Sequence, residues 1–401
     1  MSPTRFLFST AEKHPCTRPD VEVLIGKELP RLGILSDLVG VGDPGVTAPW
    51  GGGLAFIKAA GASKVKQTWA DLLQQLNLFR YASKRYSGLI VRDKPVFGIV
   101  GFLAAGWAGI PFAYWMSFPL PEAYLELART STRIAWHRRI LLWLRGSLGY
   151  LLLNRLLLNR VDWLFVQSEF MALDLRNRGL LRHDRVSAVP MGVDVAALSF
   201  ERGEVPIKLA GRKTAVYLGS LDRLRKPELM VDAALLVARQ MPGFLLLVIG
   251  EADEPSDVGW LKEYARSVGA SDIVHFTGRL PRLEALRLTA FAQVGLSPIA
   301  PNPLFEVSSP TKPLEYWALE LPVIANDIPD QKTVIEQSGG GWCVEFTEQA
   351  FAAAILECLN NPEQAKERAR KGRQWVNTNR SYSAIAARLV QQCDLFRGIS
   401  S

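Results

Sequence analysis

Residues Ser308 to Asp327 have the sequence SSPTKPLEYWALELPVIAND. The Ser-Ser-Pro-Thr start predicts the beginning of a helix, with Pro310 near the first helical position and hydroxyl groups available as caps. The apolar run LPVI that follows the helix is typical of a short buried strand, here ending at Asn326 and Asp327. A helix followed by such a strand is the repeating unit of an α/β sheet.

The same alternation of apolar runs and helical stretches continues through the chain. In the second half, strands are expected at TAVYLGS, GFLLLVIGE, DIVHFTG and QVGLSPI, with helices over 227–240 and 283–292. In the first half, strands are expected at RFLFST, ILSDLVGV, SGLIVRD, IPFAYWMS, DWLFVQS and RVSAVPM, with a helix over 20–32. Strands separated by helices imply parallel pairing with right-handed crossovers.

The length of 401 residues suits two domains of ordinary size rather than one hydrophobic core. The polar stretch 193–206 has no clear periodicity and is the expected boundary. We therefore expect an N-terminal domain over 1–193, a C-terminal domain over 194–379, and an amphipathic helix over 380–401 that packs back on the first domain.

The composition is that of a globular chain with anionic partners. Hydrophobic residues make up 48% and charged residues 21%, and the formal net charge of +8 favours phosphates, nucleic acid or an acidic membrane surface. The four cysteines (Cys16, Cys343, Cys358 and Cys393) lie far apart, which predicts reduced thiols in the cytoplasm rather than a zinc site or disulfides. We expect neither a secretory signal nor an uncharged apolar run of the roughly 18 residues that a membrane span needs.

Two charged residues of the Ser308–Asp327 stretch suit a nucleoside diphosphate. Lys312 lies near the expected helix N-terminus, whose N–H groups favour anions. Glu315 follows one turn later, and an ionised carboxylate only accepts hydrogen bonds, which is the chemistry needed to hold two ribose hydroxyls. Each residue alone also fits a capped helix with a solvated carboxylate, but together they favour a binding site.

A second stretch, Tyr217–Ala233, has the sequence YLGSLDRLRKPELMVDA. A strand, Gly219, a basic cluster and then a helix predict an anion site at the carboxyl end of the strand. Arg225 suits bidentate binding of phosphate oxygens, and Lys226 suits a point charge. A solvated basic loop is the alternative for this stretch taken alone.

These two stretches, with VQSEFMALDLRNRGLLRHDRVSAVPMGVD (166–194) and VHFTGRLPRLEALRLTAFAQVGLSP (274–298), resemble the retaining glycosyltransferase family 4. The resemblance covers about half the chain, nearly all of it from Val161 onward. It implies the GT-B fold, an α/β architecture of two facing Rossmann-like domains with parallel sheets. It also implies transfer of a hexosyl group from a UDP- or GDP-sugar to a glycan or lipid-linked acceptor, in the biosynthesis of surface polysaccharide or glycolipid.

The resemblance also implies roles for residues of the second half. Arg225 and Lys226 match the basic pair that neutralises the donor diphosphate, and with Glu306 they are the implied catalytic residues. Glu315 matches the carboxylate that holds the ribose. The backbone of Ser309–Thr311 would meet the diphosphate. The implied donor-binding residues are Gly219, Gly278, Arg279, Ser308, Ser309, Thr311, Lys312 and Glu315, with Gly278 and Arg279 near the base.

The chain departs from the family pattern at several places. The first acidic residue of the Glu–seven residues–Glu pattern falls on Val307, with Glu306 one residue away. Ser220 stands where an arginine is usual. In the first half, the segment 115–117 replaces a histidine, and the loop after the first strand lacks a glycine pair.

The sequence contains no Asp-x-Asp pair that would chelate a divalent ion across a diphosphate. The charge of the leaving group is therefore expected to be met by Arg225, Lys226 and helix dipoles, without a metal or another cofactor. The absence of a G-x-S-x-G elbow, a P-loop and an early G-x-G-x-x-G argues against a hydrolase, an NTPase and a dinucleotide dehydrogenase. Two rivals remain: an inactive GT-B protein that binds a nucleotide or glycan, and a sugar-nucleotide epimerase.

The segment 127–161 contains seven arginines and no acidic residue, with Trp136, Trp143 and Tyr150 among leucine-rich runs. This composition on helices is typical of an element that lies in a membrane interface. We therefore expect it to dock on an anionic membrane, with the protein in the cytoplasm or on the inner face; a buried helix pair with basic ends is the alternative. Nucleic acid is not an expected partner, because the aromatic residues lie in apolar runs.

Overall fold

A computed structural model describes residues 4–398 of the chain, except 17, 43–49, 60–72, 75, 83–85, 131–133, 201–203, 205 and 208. The side chains of 11, 55–59 and 393–398 are also outside the description, so Arg133 and the Cys393 thiol are not covered. The chain forms two compact units, one of Met1–Met191 with Tyr382–Ser401 and one of Gly192–Ser381. The divisions expected at 193 and 379 compare with 191 and 381 in the structure.

The first unit is built on a parallel sheet. Its described strands are β1 Thr4–His14, β2 Ile34–Gly42, β3 Leu54–Ala59, β4 Gly88–Arg92, β5 Phe112–Met116, β6 Trp163–Val166 and β7 Val186–Ala188. Their order is β3-β2-β1-β4-β5-β6-β7. The apolar runs predicted all of these strands except β3, whose sequence LAFIKA includes alanine and lysine, residues that strands disfavour.

Helices connect the strands of the first unit. They include α1 Asp20–Glu28 (continued by Leu29–Arg31), α2 Pro95–Ala108, α3 Leu120–Thr130, α4 Trp136–Tyr150 (continued by Leu151–Leu157) and α5 Glu169–Asn177. The last helix of the chain, Tyr382–Gly398, packs on the same unit. Its residues Tyr382, Ile385 and Leu389 share a core with Phe6 and Phe8 of β1.

The second unit has its own parallel sheet. Its strands are β8 Lys213–Leu218, β9 Phe244–Ile249, β10 Val274–Gly278, β11 Val294–Ser297, β12 Val323–Asn326 and β13 Gly341–Val344, in the order β10-β9-β8-β11-β12-β13. Every residue of β9 is buried, because helices cover both faces of the sheet. The strand β13 was not predicted; its sequence GWCV follows two further glycines, which are typical of a loop.

The helices of the second unit are α6 Glu228–Ala238, α7 Pro255–Ser267, α8 Arg282–Thr289, α9 Pro303–Glu306, α10 Lys312–Ala318, α11 Pro329–Ser338, α12 Glu348–Asn360 and α13 Pro362–Asn379. One core lies around Tyr217 and Phe351, and another around Trp317. Trp317 Nε1 donates to Gly340 O at 2.8 Å, and a Cβ on Gly372 would lie 2.3 Å from its ring, so α10 is tightly held. The predicted α/β class with parallel sheets is confirmed.

The helix α4 packs on the first unit by one face only. A Cβ on Gly146 would lie 2.9 Å from Pro121 O, so this glycine permits close contact with α3. The opposite face exposes Trp136, Ile140, Leu141, Trp143, Leu144, Leu148 and Leu151. By length and composition alone, Trp136–Leu157 is the one described helix that could cross a membrane. The helix is therefore not the buried element that we considered as an alternative.

Candidate functional site

The two stretches singled out in the sequence meet at the carboxyl edge of the second sheet. The chain runs from β8 outward through β9 to β10, then returns to β11 beside β8 and runs outward through β12 to β13. The loops after β8 and β11 therefore leave adjacent strands in opposite directions. Such a switch point is where open α/β sheets bind their ligands.

The strand ends at this edge approach each other closely. A Cβ built on Gly219, at the end of β8, would lie 2.5 Å from Lys312 Cε. A Cβ on Gly250, at the end of β9, would lie 2.0 Å from the carbonyl oxygen of Gly219. At Gly250 the contact is with backbone, which leaves no room for a side chain, and at Gly219 a side chain would displace the end of Lys312. These glycines therefore allow the strand ends and the lysine to pack together.

The basic loop after β8 contains two arginines with different surroundings. One forms an ion pair with α7, and the other lies near the segment that follows β11. Arg223 Nε lies 3.2 Å from Asp257 Oδ1, which ties the loop to α7. The half-buried Arg225 guanidinium lies 5.2 Å from the ring centroid of Phe305, in the segment after β11. Lys226 is exposed, with a φ of 49° in the left-handed region, where the chain turns before α6.

Lys312 is the first residue of α10 and lies beside aromatic and cationic groups. Its Nζ is 5.2 Å from the ring centroid of Tyr217. Burial and the Arg225 guanidinium lower the pKa of Lys312 to about 7, while Glu315 acts in the opposite direction. Arg225 and Lys312 are thus like charges whose mutual repulsion a bound anion would relieve.

Glu315 lies one turn further along α10, with 16% of its side chain exposed. Arg282 Nη2 is 3.3 Å from Glu315 Oε1. Burial raises the pKa of Glu315, and Arg282 and Lys312 oppose the rise because they stabilise the charged carboxylate. In this partly desolvated place, a hydrogen bond to a ligand hydroxyl is stronger than in water.

Glu306 is exposed at the end of the short helix α9. Asn302 caps this helix, and its Oδ1 accepts a hydrogen bond from Leu304 N at 2.8 Å. Val307, at the first acidic position of the family pattern, directly follows the helix. The contact between Phe305 and Arg225 described above keeps α9 beside the basic loop.

The hydroxyls of Ser308 and Ser309, the two serines before α10, form hydrogen bonds within the protein. Ser308 Oγ donates to a backbone carbonyl three residues earlier, at 2.7 Å. The buried Ser309 Oγ donates to Asp330 Oδ2 at 2.8 Å and accepts from Arg380 Nη1 at 3.1 Å. These bonds fix the loop whose backbone the resemblance assigns to the diphosphate.

The helix start predicted near Pro310 is wrong. Helix α10 begins at Lys312 with Thr311 as its N-cap residue, and Pro313 lies in its first turn. The Thr311 side chain makes no capping hydrogen bond. The Ser309 hydroxyl is not available as a cap because it is bound to Asp330 and Arg380.

Tyr316 ties α10 to both strands of the switch point. Its hydroxyl accepts a hydrogen bond from Leu218 N at 2.9 Å and donates one to Leu296 O at 3.1 Å. The ring is fully buried, and a Cβ on Gly295 would lie 2.4 Å from it. The helix that carries Lys312 and Glu315 therefore has a fixed position on the sheet.

The segment after β10 also reaches this edge. Gly278, with a φ of 73°, accepts a hydrogen bond from Gly250 N at 3.1 Å. Arg279 is exposed in the loop that follows. Arg282, three residues later, makes the ion pair with Glu315. The structure thus brings the predicted residues of three loops to one edge of the sheet.

Four residues that shape this site were not predicted: Arg282, Phe305, Tyr316 and Asp330. Arg282 follows closely on the Gly278–Arg279 pair, so its basic character was visible, but its pairing with Glu315 depends on how α8 and α10 pack. The hydrogen bonds of Tyr316 also depend on tertiary packing, and no sequence spacing indicates them.

Chemically, the edge combines positive charge with a hydrogen-bond acceptor. Arg225, Lys226 and Lys312 supply the charge, and Glu315 is the acceptor. The set is complementary to a ligand that carries phosphate next to hydroxyl groups. Among the residues that the structure describes, no group of three His, Cys, Asp or Glu could hold a metal ion.

Comparison with known proteins agrees with this geometry. Residues 212–361, which hold most of the site, match the family model of Glycosyl transferases group 1. The solved structure of Anabaena HepE with UDP-glucose is similar over 98% of this chain and 99% of its own, with a TM-score of 0.69 and 14% identity. Sucrose-phosphate synthase from Thermosynechococcus elongatus has a TM-score of 0.67 at 17% identity, over 99% of each chain. The chain has the GT-B fold.

Curated relatives of the GT-B chain are similar over a shorter region. Glycogen synthase of Mycobacterium tuberculosis is 25% identical over 207 residues, which are 51% of this chain and 47% of that protein. D-inositol 3-phosphate glycosyltransferase of Nocardiopsis dassonvillei is 24% identical over 217 residues, 51% and 49% of the two chains. The GT-B chain thus spans about half the length of the curated relatives it matches, and its match to the Glycosyl transferases group 1 model is confined to 212–361.

Proposed function

We propose that the chain is a glycosyltransferase that moves a hexosyl group from a UDP- or GDP-sugar to a glycan or lipid-linked acceptor. Retention at the anomeric carbon is part of the proposal, as is a place in surface polysaccharide or glycolipid biosynthesis. The resemblance to the retaining family 4 supports both. The HepE complex with UDP-glucose supports a nucleotide-sugar donor.

One observation carries the proposal: Arg225 comes from one stretch, Lys312 and Glu315 come from another, and the three residues meet at the switch point of the second sheet. Arg225 and Glu315 both act on the pKa of Lys312, so the three charges lie close enough to interact. A diphosphate at the two cations and a ribose at Glu315 would satisfy all three.

In this proposal, the three basic residues at the edge of the sheet also act in the reaction itself. When the bond between the anomeric carbon and the diphosphate breaks, negative charge grows on the leaving phosphate oxygens. Arg225 and Lys226 stabilise that charge, and Lys312 adds to it when protonated. Such stabilisation is most effective when the groups are held in place beforehand, as the Asp257 and Tyr316 contacts hold the loop and the helix.

Glu306 is the carboxylate that we propose for the hydroxyls of the transferred sugar. Its helix α9 lies beside the basic loop through the contact of Phe305 with Arg225. The exposed position leaves the Glu306 side chain accessible to a donor.

The test begins with a thermal-shift screen of UDP- and GDP-sugars on the purified chain. The donor that raises the Tm is then incubated with and without glycan and lipid-linked acceptors, and products are followed by NMR. We expect transfer with the anomeric configuration of the donor unchanged. Conversion of the donor without any acceptor would favour an epimerase, and binding without turnover on any acceptor would favour an inactive binding protein.

We further propose that the segment 127–161 docks the protein on the inner, cytoplasmic face of an anionic membrane. The exposed apolar face of α4 supports this, because Trp136, Trp143 and Leu148 lie uncovered among arginines. Amphipathic helices with arginine on the polar side and tryptophan and leucine on the other lie in the headgroup region.

Vesicle pelleting tests the docking. The full chain should pellet with vesicles rich in acidic lipid and much less with neutral ones, and salt should weaken the binding. Replacing the exposed Arg138, Arg145 and Arg155 by Ser should release most of the protein, since each contributes about 1 kcal/mol near such a surface. A matched control replaces the exposed Arg239, Arg266 and Arg370 of the second unit by Ser, with the same loss of charge. Equal release in both variants would contradict the docking site.

A further inference from the structure

A groove opens between the C-terminal turn of α3 and the first turns of α4. Its volume is about 540 Å³, and it is lined by Leu125, Ala128, Arg129, Trp136, Ile140 and Trp143. This volume is within the range of about 300–1,000 Å³ of pockets that hold small ligands. Every residue that lines the groove belongs to the first unit, whereas the residues of the proposed nucleotide-sugar site belong to the second.

The walls of the groove are apolar and uncovered. Trp136 is 74% exposed and Ile140 48% exposed, and Trp143 is exposed beside them. Contiguous apolar surface of this kind on a protein is typical of a binding site. The side of α4 that contains Gly146 packs on α3. The exposed apolar side chains of α4 are therefore not needed for the contact between the two helices.

The rim of the groove is positively charged. The Arg129 side chain is 81% exposed, and its Nε lies 3.8 Å from Glu126 Oε2. Arg139, also at the groove, donates from Nε to Ala128 O at 2.9 Å and so joins the end of α3 to α4. Apolar walls below an exposed guanidinium are complementary to a molecule with a hydrocarbon chain and an anionic headgroup.

We propose that this groove binds one hydrocarbon chain of an anionic bilayer phospholipid, with the lipid phosphate at Arg129. The inference rests on the membrane docking proposed above and deepens it. It adds a binding site for a single lipid to a surface that would otherwise bind the membrane only by charge and apolar contact. A lipid held there would fix the rotation of α4 on the bilayer.

Charge argues for a lipid rather than a second copy of the chain. The segment 127–161 carries seven arginines and no acidic residue, so two copies packed face to face through it would bring arginine against arginine. An anionic headgroup removes that repulsion and allows the apolar walls to be covered.

The experiment uses a soluble lipid, so that binding in the groove is measured without a bilayer. The full chain is titrated calorimetrically with dihexanoyl phosphatidylglycerol below its critical micelle concentration, and in parallel with glycerol 3-phosphate. We expect saturable binding of one lipid per chain and none of glycerol 3-phosphate at the same concentration. Arg129→Gln should weaken binding of the soluble lipid by up to about fivefold, the loss expected for one exposed ion pair with the lipid phosphate.

A matched pair of substitutions locates the site. Ile140→Asp places a carboxylate in the groove, and Leu148→Asp places one on the same helix at a residue that is 53% exposed and does not line the groove. Ile140→Asp should weaken the soluble lipid at least tenfold, and Leu148→Asp should leave it unchanged. Trp136→Ser, at a largely exposed position, gives a second loss variant whose Tm should stay at that of the wild type.

Several results would contradict the proposed lipid site in the groove. They are absence of one-to-one lipid binding, equal losses in Ile140→Asp and Leu148→Asp, glycerol 3-phosphate binding as well as the lipid, or a dimer in sedimentation that Ile140→Asp dissolves. If vesicle pelleting persists while soluble lipid does not bind, the docking surface stands and the groove is wrong. If soluble-lipid binding is lost in Ile140→Asp and kept in Leu148→Asp, the groove is supported.

Discussion

Glu315 owes its chemistry to its surroundings, since it is partly buried between Arg282 and Lys312. We predict that Glu315→Gln, which keeps the shape and removes the charge, weakens nucleotide binding by about 10- to 150-fold, the loss of a charged hydrogen bond of about 1.5–3 kcal/mol. Fluorescence or calorimetric titration with UDP and GDP measures this loss of affinity. The exposed Glu336→Gln on α11 is the control, and equal affinity in the two variants would remove Glu315 from the site.

We predict that Lys312 makes donor binding depend on pH. Its pKa of about 7 means that the empty site carries this charge below pH 7 and loses it above. A bound diphosphate favours the charged form, so donor affinity should be level below about pH 7 and fall by at most about tenfold per pH unit above it. A nucleotide-sugar is the right probe, because its diphosphate is esterified at both ends and keeps its charge.

Lys312→Arg tests the assignment, since arginine stays charged throughout this range. The variant should bind the donor with no fall in affinity between about pH 7 and 8.5. The same slope in wild type and variant would show that another group titrates.

The residue types of the site were predictable, and their neighbours were not. Arg225, Lys312 and Glu315 stand in short stretches where a strand, a loop and a helix follow one another, so their chemistry follows from the sequence. Arg223 belongs to the same basic cluster as Arg225, yet it is held by Asp257. Only the packing of α7 on the loop distinguishes Arg223, which is held by the protein, from Arg225, the proposed binding residue.

Helix α10 is the element that positions the carboxylate and the lysine. Tyr316 joins it to β8 and β11 through two hydrogen bonds of a buried hydroxyl. We predict that Tyr316→Phe lowers the free energy of unfolding by about 1–3 kcal/mol, because Leu218 N loses its buried partner. Urea unfolding with and without the donor measures this, and donor affinity should fall as well. A stability unchanged from the wild type would contradict the anchoring role.

The elements themselves follow the apolar runs closely, with exceptions that have physical reasons. The strands β3 and β13 were not predicted, because alanine and lysine in LAFIKA and the leading glycine in GWCV are residues that strands disfavour. The start of α10 was placed too early, at Pro310, because the sequence does not reveal that Ser309 is bound to Asp330 and Arg380. Caps and loop anchors depend on long-range partners, whereas buried parallel strands are visible locally.

For the molecule as a whole, the chain length and the alternation of strands and helices are enough to indicate two α/β units. The reversal of strand order at β8 and β11 could not be predicted from periodicity, because strand neighbours depend on how the crossovers pack. That reversal is what brings the loops of Arg225 and Lys312 together. The general location of the site was therefore predictable from motifs, and its geometry was not.

The charge of the whole site leads to a prediction about metals. Arg225, Lys226 and Lys312 offer the diphosphate positive charge from the protein itself, so transfer should continue in excess EDTA. An activity assay with the donor found by the binding screen measures this, with dialysed protein as the reference. Loss of activity in EDTA and its return with magnesium or manganese would contradict the prediction.

Binding of a nucleotide-sugar donor at the switch point of the second sheet underlies the proposed transferase activity. Calorimetric titration of the wild type, Arg225→Gln, Lys226→Ala and the control Arg239→Gln with the donor from the screen measures it. We expect one donor per wild-type chain, the same affinity in Arg239→Gln, and at least tenfold weaker binding in the other two variants, because each loses a charged contact to the diphosphate. Unchanged affinity in both Arg225→Gln and Lys226→Ala, or no binding of any UDP- or GDP-sugar, would contradict a donor site at this edge.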